Sequence, residues 1–94
     1  MNELHSNNFT LLLCHILGVD HAGHTYNANH IEIERKLNDT EKIIKNIINK
    51  MDNDTILLVF GDHGMTDDGN HGGGTLNELK SVLFSYSKSG FPIK

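Results

Sequence analysis

The sequence predicts an α/β fold: part of a sheet with a βαβ unit, crossed by one long helix. Three observations predict it. Two short, nearly continuous apolar runs, 9–17 and 55–60, each stop at a glycine, Gly18 and Gly61. Strands buried on both faces of a parallel sheet have that pattern. Between them, Ile33, Leu37, Ile44, Ile48 and Met51 recur at helical spacing and form one apolar stripe. A strand, a helical crossover of roughly thirty residues and a second strand make a right-handed βαβ unit.

Residues 1–8 are polar and expected to be loose. The first strand is predicted over about 9–17, with Cys14 as a small buried hydrophobe and His15 as a core histidine. A polar loop is predicted from Gly18 to about Asn29. The helix is predicted over about 31–51. Asn29 is its expected N-cap, and Glu32, three residues on, completes a capping-box pattern. Glu32 and Glu34 suit the positive end of the helix dipole and Lys50 the negative end. Lys42, Lys45 and Asn49 read as its solvated face. The second strand, about 55–60, is followed by a glycine-rich loop to Thr75, a short helical turn at 76–79 and a strand at about 81–87. Gly90 and Pro92 mark a terminal turn. Three strands and one long helix cannot cover both faces of a parallel sheet, so the chain is expected to be part of a larger α/β domain.

Composition narrows the function classes. The chain has 94 residues and a net charge of −4, with lysine and arginine scattered, so no basic stripe recommends a nucleic-acid partner. One cysteine excludes an internal disulfide. No apolar run approaches the roughly 20 residues of a membrane span. The run at 9–17 has no basic region before it, which makes a poor signal peptide.

Four of the seven histidines lie in two glycine-bearing clusters, 18–24 and 61–73. Ligands of open parallel sheets collect at the carboxyl ends of strands. Asp20 and His24 follow the first strand there, and Asp62 and His63 follow the second. His71 sits on an arm between Gly69 and Gly72, able to fold over the same edge. Each group alone reads as an ordinary polar loop residue. Together they are five carboxylate and imidazole groups aimed at one edge, the donor set of a divalent metal site. His21 is open between a sixth ligand and a substrate contact or a group orienting the ligands. His5 and His30 read as surface. Two such ions, about 4 Å apart, stabilise both attacking and leaving oxygens in phosphoryl transfer and offset charge on the phosphorus oxygens.

Asp20-x-x-x-His24, then Gly61-Asp62-His63-Gly64, then His71 resembles the metal frame of the alkaline phosphatase superfamily. More narrowly, residues 17–24, 61–66 and 69–73, with Lys36-Leu37 and residues 53–59, resemble the GPI ethanolamine-phosphate transferases. The class acting on the third mannose is the nearest likeness. The resemblance covers roughly 11–87. It implies an alkaline-phosphatase-like sheet and two Zn²⁺ ions, one on Asp20, His24 and His71, the other on Asp62 and His63. It also implies transfer of phosphoethanolamine from phosphatidylethanolamine to a mannose of the GPI precursor, through a phospho-enzyme on a threonine. The family works at the lumenal side of the endoplasmic reticulum membrane, anchored by membrane spans, with a small membrane partner subunit as a further implied partner. The nucleophilic threonine and another aspartate ligand lie far upstream in such enzymes. Thr10, inside the first strand, and Thr25, just after a ligand, do not hold the nucleophile's place. The chain is therefore expected to be the C-terminal half of the catalytic domain, with no catalytic nucleophile of its own and no activity in isolation. Two alternatives stay open: another phosphodiesterase or a phosphomutase of the superfamily, and a noncatalytic metal-binding module. Asn8, Asn38 and Asn53 each begin an Asn-x-Thr sequon.

Overall fold

The computed structural model of the chain describes residues 8–91. Its elements are α1 (Gly18–Tyr26), α2 (Ile31–Lys50), β1 (Ile56–Phe60), α3 (Leu76–Leu79) and β2 (Leu83–Ser87). The mixed helix-and-strand class, the long helix, the two later strands and the helical turn at 76–79 agree with the sequence reading. His5 and Pro92 lie outside the described residues.

Residues 18–26, expected as loop, form a helix. Its sequence hides this, since Gly18 and Gly23 break the propensity and no long apolar stripe runs along it. Packing supplies what propensity lacks. Ala22 and Gly23 are buried, and the Met65 side chain rests so closely on Gly23 that a Cβ there would lie 2.2 Å from its sulfur. Asn27, at φ 74°, closes the helix, its N–H donating to Gly23 O at 2.8 Å.

Residues 9–17, expected as strand, are not one. A strand exists only through a ladder partner, and no described segment pairs with this run. The βαβ unit is accordingly not formed among the described residues. Cys14 and His15, read as core, are exposed, as are Leu11 and Leu13.

Helix α2 is amphipathic along the expected stripe, with one departure. Ile33, Ile44 and Ile48 are half-buried and Met51, just past its end, is buried, whereas Leu37 is exposed. The N-cap is His30, not Asn29. The His30 Nδ1 accepts the Glu32 N–H at 3.2 Å, while the Asn29 N–H is itself taken by Asn27 Oδ1 at 3.2 Å. The His30 ring also stacks on Tyr26, with centroids 4.7 Å apart. Exposed pairs such as Lys45–Glu41 at 2.8 Å contribute little to stability.

The turn from α2 to β1 is organised by Asp52, whose Oδ1 accepts the Asp54 N–H at 3.0 Å and the Thr55 hydroxyl at 2.6 Å. The far end of β2 clasps this turn. Lys88 Nζ donates to the carbonyls of Asn49 and Met51, satisfying the end of α2, and Ser89 Oγ donates to Asn53 O at 2.8 Å.

Strands β1 and β2 pair antiparallel, with Leu58 opposite Ser85 and Phe60 opposite Leu83. One face of β1, Leu57 and Val59, is half-buried. The other, Ile56, Leu58 and Phe60, is about 60% exposed. The continuous apolar run predicts cover on both faces; in this chain one face is open. Helix α1 packs on α2, and the loop from Gly61 to Thr75 leaves the carboxyl end of β1 and crosses to α1.

Candidate metal centre

Helix α1 places Asp20 and His24 four residues apart, hence on one face. His24 Nε2 lies 3.4 Å from Asp20 Oδ1. The carboxylate occupies the first turn and the imidazole the last, the favourable polarity for the helix dipole.

The other members arrive on the loop after β1. His63 Nε2 lies 3.8 Å from Asp20 Oδ1 and 3.7 Å from Asp62 Oδ1. His71 Nε2 lies 3.1 Å from Asp20 Oδ1 and 3.0 Å from His24 Nε2. The rings of His63 and His71 stack at 3.7 Å, and that of His24 tilts against His71 at 4.9 Å. All five sequence-selected residues thus come together, Asp62 at the exposed rim. His21 is exposed; its carbonyl accepts the Thr25 hydroxyl at 2.8 Å, and its ring has no hydrogen bond among the described residues.

Two features test whether these groups fit a divalent ion. Asp20 Oδ1 is buried and has no hydrogen-bond partner among the described residues, although three imidazole nitrogens surround it. A carboxylate oxygen enclosed this way carries a desolvation cost that no hydrogen bond among the described residues offsets. The second feature is shape. Asp20 Oδ1, His24 Nε2 and His71 Nε2 form a triangle with edges of 3.4, 3.1 and 3.0 Å. Tetrahedral zinc with bonds of about 2.0–2.1 Å has ligand–ligand edges of about 3.3–3.4 Å. A second set, Asp20, His63 and His71, has ligand atoms within 4.8 Å of one another. Asp20 therefore belongs to both groupings.

Tautomers point the same way. His63 Nδ1 lies 2.8 Å from Gly64 O. A carbonyl only accepts, so Nδ1 carries the proton and Nε2 presents its lone pair to the cluster. A backbone carbonyl behind a ring nitrogen is the usual arrangement for a ligating histidine. The same loop needs glycine at Gly64, whose Cβ would stand 1.9 Å from Asn77 O; that close approach carries the Gly64 N–H bond to Glu78 O at 2.7 Å.

Glu78 is a residue the motif reading passed over, though Thr75-x-x-Glu78 has the capping-box spacing. It is buried at 8% exposure, and its carboxylate accepts the N–H groups of Gly73 and Thr75 at 2.9 and 3.0 Å and the Thr75 hydroxyl. These bonds, the Thr75 hydroxyl foremost, hold its pKa below the usual glutamate value. A depressed folded value means stability fully present above the ordinary glutamate range and lost as pH falls through the lower, folded one. Urea midpoints measured from neutral pH downward are therefore expected to fall below the glutamate range, and to fall less steeply in Glu78→Gln.

A family model of type I phosphodiesterases / nucleotide pyrophosphatases matches residues 2–82 of this chain. GPI ethanolamine phosphate transferase 3 of Schizosaccharomyces pombe is 46% identical over 81 residues, which are 86% of this chain and 9% of that protein. The human GPI ethanolamine phosphate transferase 3, catalytic subunit, is 43% identical over 82 residues, 87% of this chain and 8% of that protein. GPI ethanolamine phosphate transferase 2 of Kluyveromyces lactis is 40% identical over 84 residues, 89% of this chain and 11% of that protein. The chain thus spans about a tenth of the length of the curated relatives it matches. No solved structure matches.

Proposed function

Since the chain belongs to the type I phosphodiesterase / nucleotide pyrophosphatase family, we propose that it is the metal-holding part of a GPI ethanolamine phosphate transferase. In this reading the whole enzyme moves phosphoethanolamine from phosphatidylethanolamine to a mannose of the GPI precursor, the third one. The observation that carries it is Asp20 Oδ1, buried without a hydrogen bond among the described residues and facing three imidazole nitrogens at 3.1 to 3.8 Å. The identity to type 3 transferases favours this enzyme over a nucleotide phosphodiesterase or phosphomutase, and the chimera below separates it from a noncatalytic metal-binding module.

Asp20, His24 and His71 would hold one Zn²⁺, and Asp62 and His63 the other. Bound there, the ions would stabilise charge on the phosphoryl oxygens during transfer. The chain's own residues supply the frame: α1 orients Asp20 and His24, Gly64 O fixes the tautomer of His63, and the His63 and His71 rings brace each other by stacking. The transferred group's nucleophile would come from outside the 94 residues. We also assign the chain to the C-terminal half of a larger catalytic domain. The open apolar face of Ile56, Leu58 and Phe60 and exposed Leu83 and Leu13 support this, being the surface the remainder would cover. No helix among the described residues is long and apolar enough to cross a membrane; endoplasmic reticulum membrane anchoring and a partner subunit are proposed for the whole protein from its relatives.

A chimera tests the reading. The matched stretch of the Schizosaccharomyces pombe transferase 3 is replaced by this chain, and phosphoethanolamine transfer is assayed in membranes. Activity is expected, with a loss of more than about a hundredfold on His63→Ala, and none is expected from the isolated 94 residues. An inactive chimera that is expressed and inserted, or turnover by the isolated chain, overturns it.

A further inference from the structure

Between His63 and His71 the loop is closed by a small hydrogen-bonded ring. The Thr66 hydroxyl donates to Asp68 Oδ1 and accepts the Asn70 N–H at 3.1 Å. Asn70 Nδ2 donates to Asp68 Oδ2 at 2.9 Å. Two backbone bonds brace the same ring, Thr66 N–H to Asn70 O and Gly69 N–H to Thr66 O, both at 2.9 Å. One further bond, Ala28 N–H to Asp67 O at 3.1 Å, ties the loop to the segment after α1.

The ring sits where it decides one thing. Asn70 immediately precedes His71, so fixing the Asn70 N–H and carbonyl fixes the direction in which His71 leaves the loop. On the other side the chain is next held two residues on, where the Gly73 N–H donates to Glu78 Oε1 at 2.9 Å, with Gly72 between as a pliable joint. Both oxygens of Asp68 are used, one on the residue that opens the ring and one on the residue that closes it. A hydrogen bond to an ionised carboxylate is roughly twice as strong as a neutral one, which makes Asp68 the fastening of the ring.

We propose that Thr66 and Asp68 are positioning residues, forming a clasp that holds His71 against Asp20 and His24 and so sets the affinity of the first metal position. The clasp touches none of the candidate ligand atoms. It acts through the backbone of Asn70, so its loss lets His71 swing while leaving the ligand set chemically complete. The inference rests on the metal-site reading above.

The test uses the whole 94-residue chain and Zn²⁺, with affinity read by competition against a chromophoric chelator. Co²⁺ substitution reads coordination number from its visible spectrum. Thr66→Val and Asp68→Ala are expected to weaken the first ion by about 10- to 100-fold, the scale seen when partners behind a metal ligand are removed. Their Co²⁺ spectra are expected to shift from four-coordinate toward higher coordination as water replaces His71. Thr66→Ser, which keeps the hydroxyl, is expected to restore both. Asp68→Asn, nearly isosteric, covers the case in which Asp68→Ala does not fold, and is expected to weaken binding. If the wild-type chain and all variants bind Zn²⁺ equally, the clasp is overturned while the site stands. If the wild-type chain takes up no Zn²⁺, the site reading falls and the clasp with it.

Discussion

Replacing Asp20 by alanine is expected to lower the zinc affinity of the chain by more than about a hundredfold. The estimate follows from position. Loss of a group behind a metal ligand costs about 10- to 100-fold, and Asp20 Oδ1 is the atom that three imidazoles share, at 3.1, 3.4 and 3.8 Å. It is the one negative charge among those atoms, and without it the His24, His63 and His71 nitrogens converge on a neutral gap. The metal-free chain is expected to keep its helix content. The removed oxygen has no hydrogen bond among the described residues, and burying such a group ordinarily costs about 1–3 kcal/mol. Alanine is also a good helix former within α1. Chelator competition and far-UV circular dichroism check the two halves separately. Zinc binding at wild-type strength by Asp20→Ala would remove the site assignment altogether.

The second large effect is expected at Gly69. Its φ is +84°, and a Cβ there would lie 2.1 Å from the carbonyl oxygen of Gly23. Backbone meets backbone at this point, so no side-chain rotation relieves the clash. Gly69→Ala carries the left-handed backbone penalty of roughly 1–2 kcal/mol and an overpacking penalty of about 1–3 kcal/mol, some 3 kcal/mol together. The cheaper escape is for the loop to lift from α1, which moves His71 away from Asp20 and His24. Gly69→Ala is therefore expected to lower both the urea midpoint and the zinc affinity. Gly74→Ala is the control, since no atom lies within 4 Å of its Cβ and its φ is not positive. Indistinguishable behaviour of the two variants would show that the loop does not rest on α1 as described.

These two positions differ in how far they can be read without coordinates. Asp20 stands out by its spacing to His24 and by the Gly61-Asp62-His63-Gly64 motif downstream. Gly69 looks like any glycine of a glycine-rich loop. Its constraint comes from Gly23, forty-six residues away in the chain, and a contact at that separation leaves no local trace. The same holds for Met65, whose side chain fills the space over Gly23, and for Glu78, which gathers the amides of the loop. Helix α1 is hidden in the sequence for a related reason: its glycines have the character of a loop, and the Met65 side chain that packs on Gly23 is forty-two residues away. The run at 9–17 shows the opposite case. Its apolar composition suits a strand, but hydrogen-bonded partners make one, and residues 9–17 find none among those described.

By itself the sequence determined the donor set, because carboxylate and imidazole chemistry belongs to residue types and their spacing. It determined the long helix and the two paired strands as well, since periodicity and β-branched apolar runs are local properties. The tertiary structure decided what needs two distant segments at once. It made Asp20 and His24 neighbours on a helix face, stacked His71 on His63, and enclosed Asp20 Oδ1 without a hydrogen bond among the described residues. Convergence depends on the chain folding back on itself, and distances between groups forty residues apart are set by packing alone.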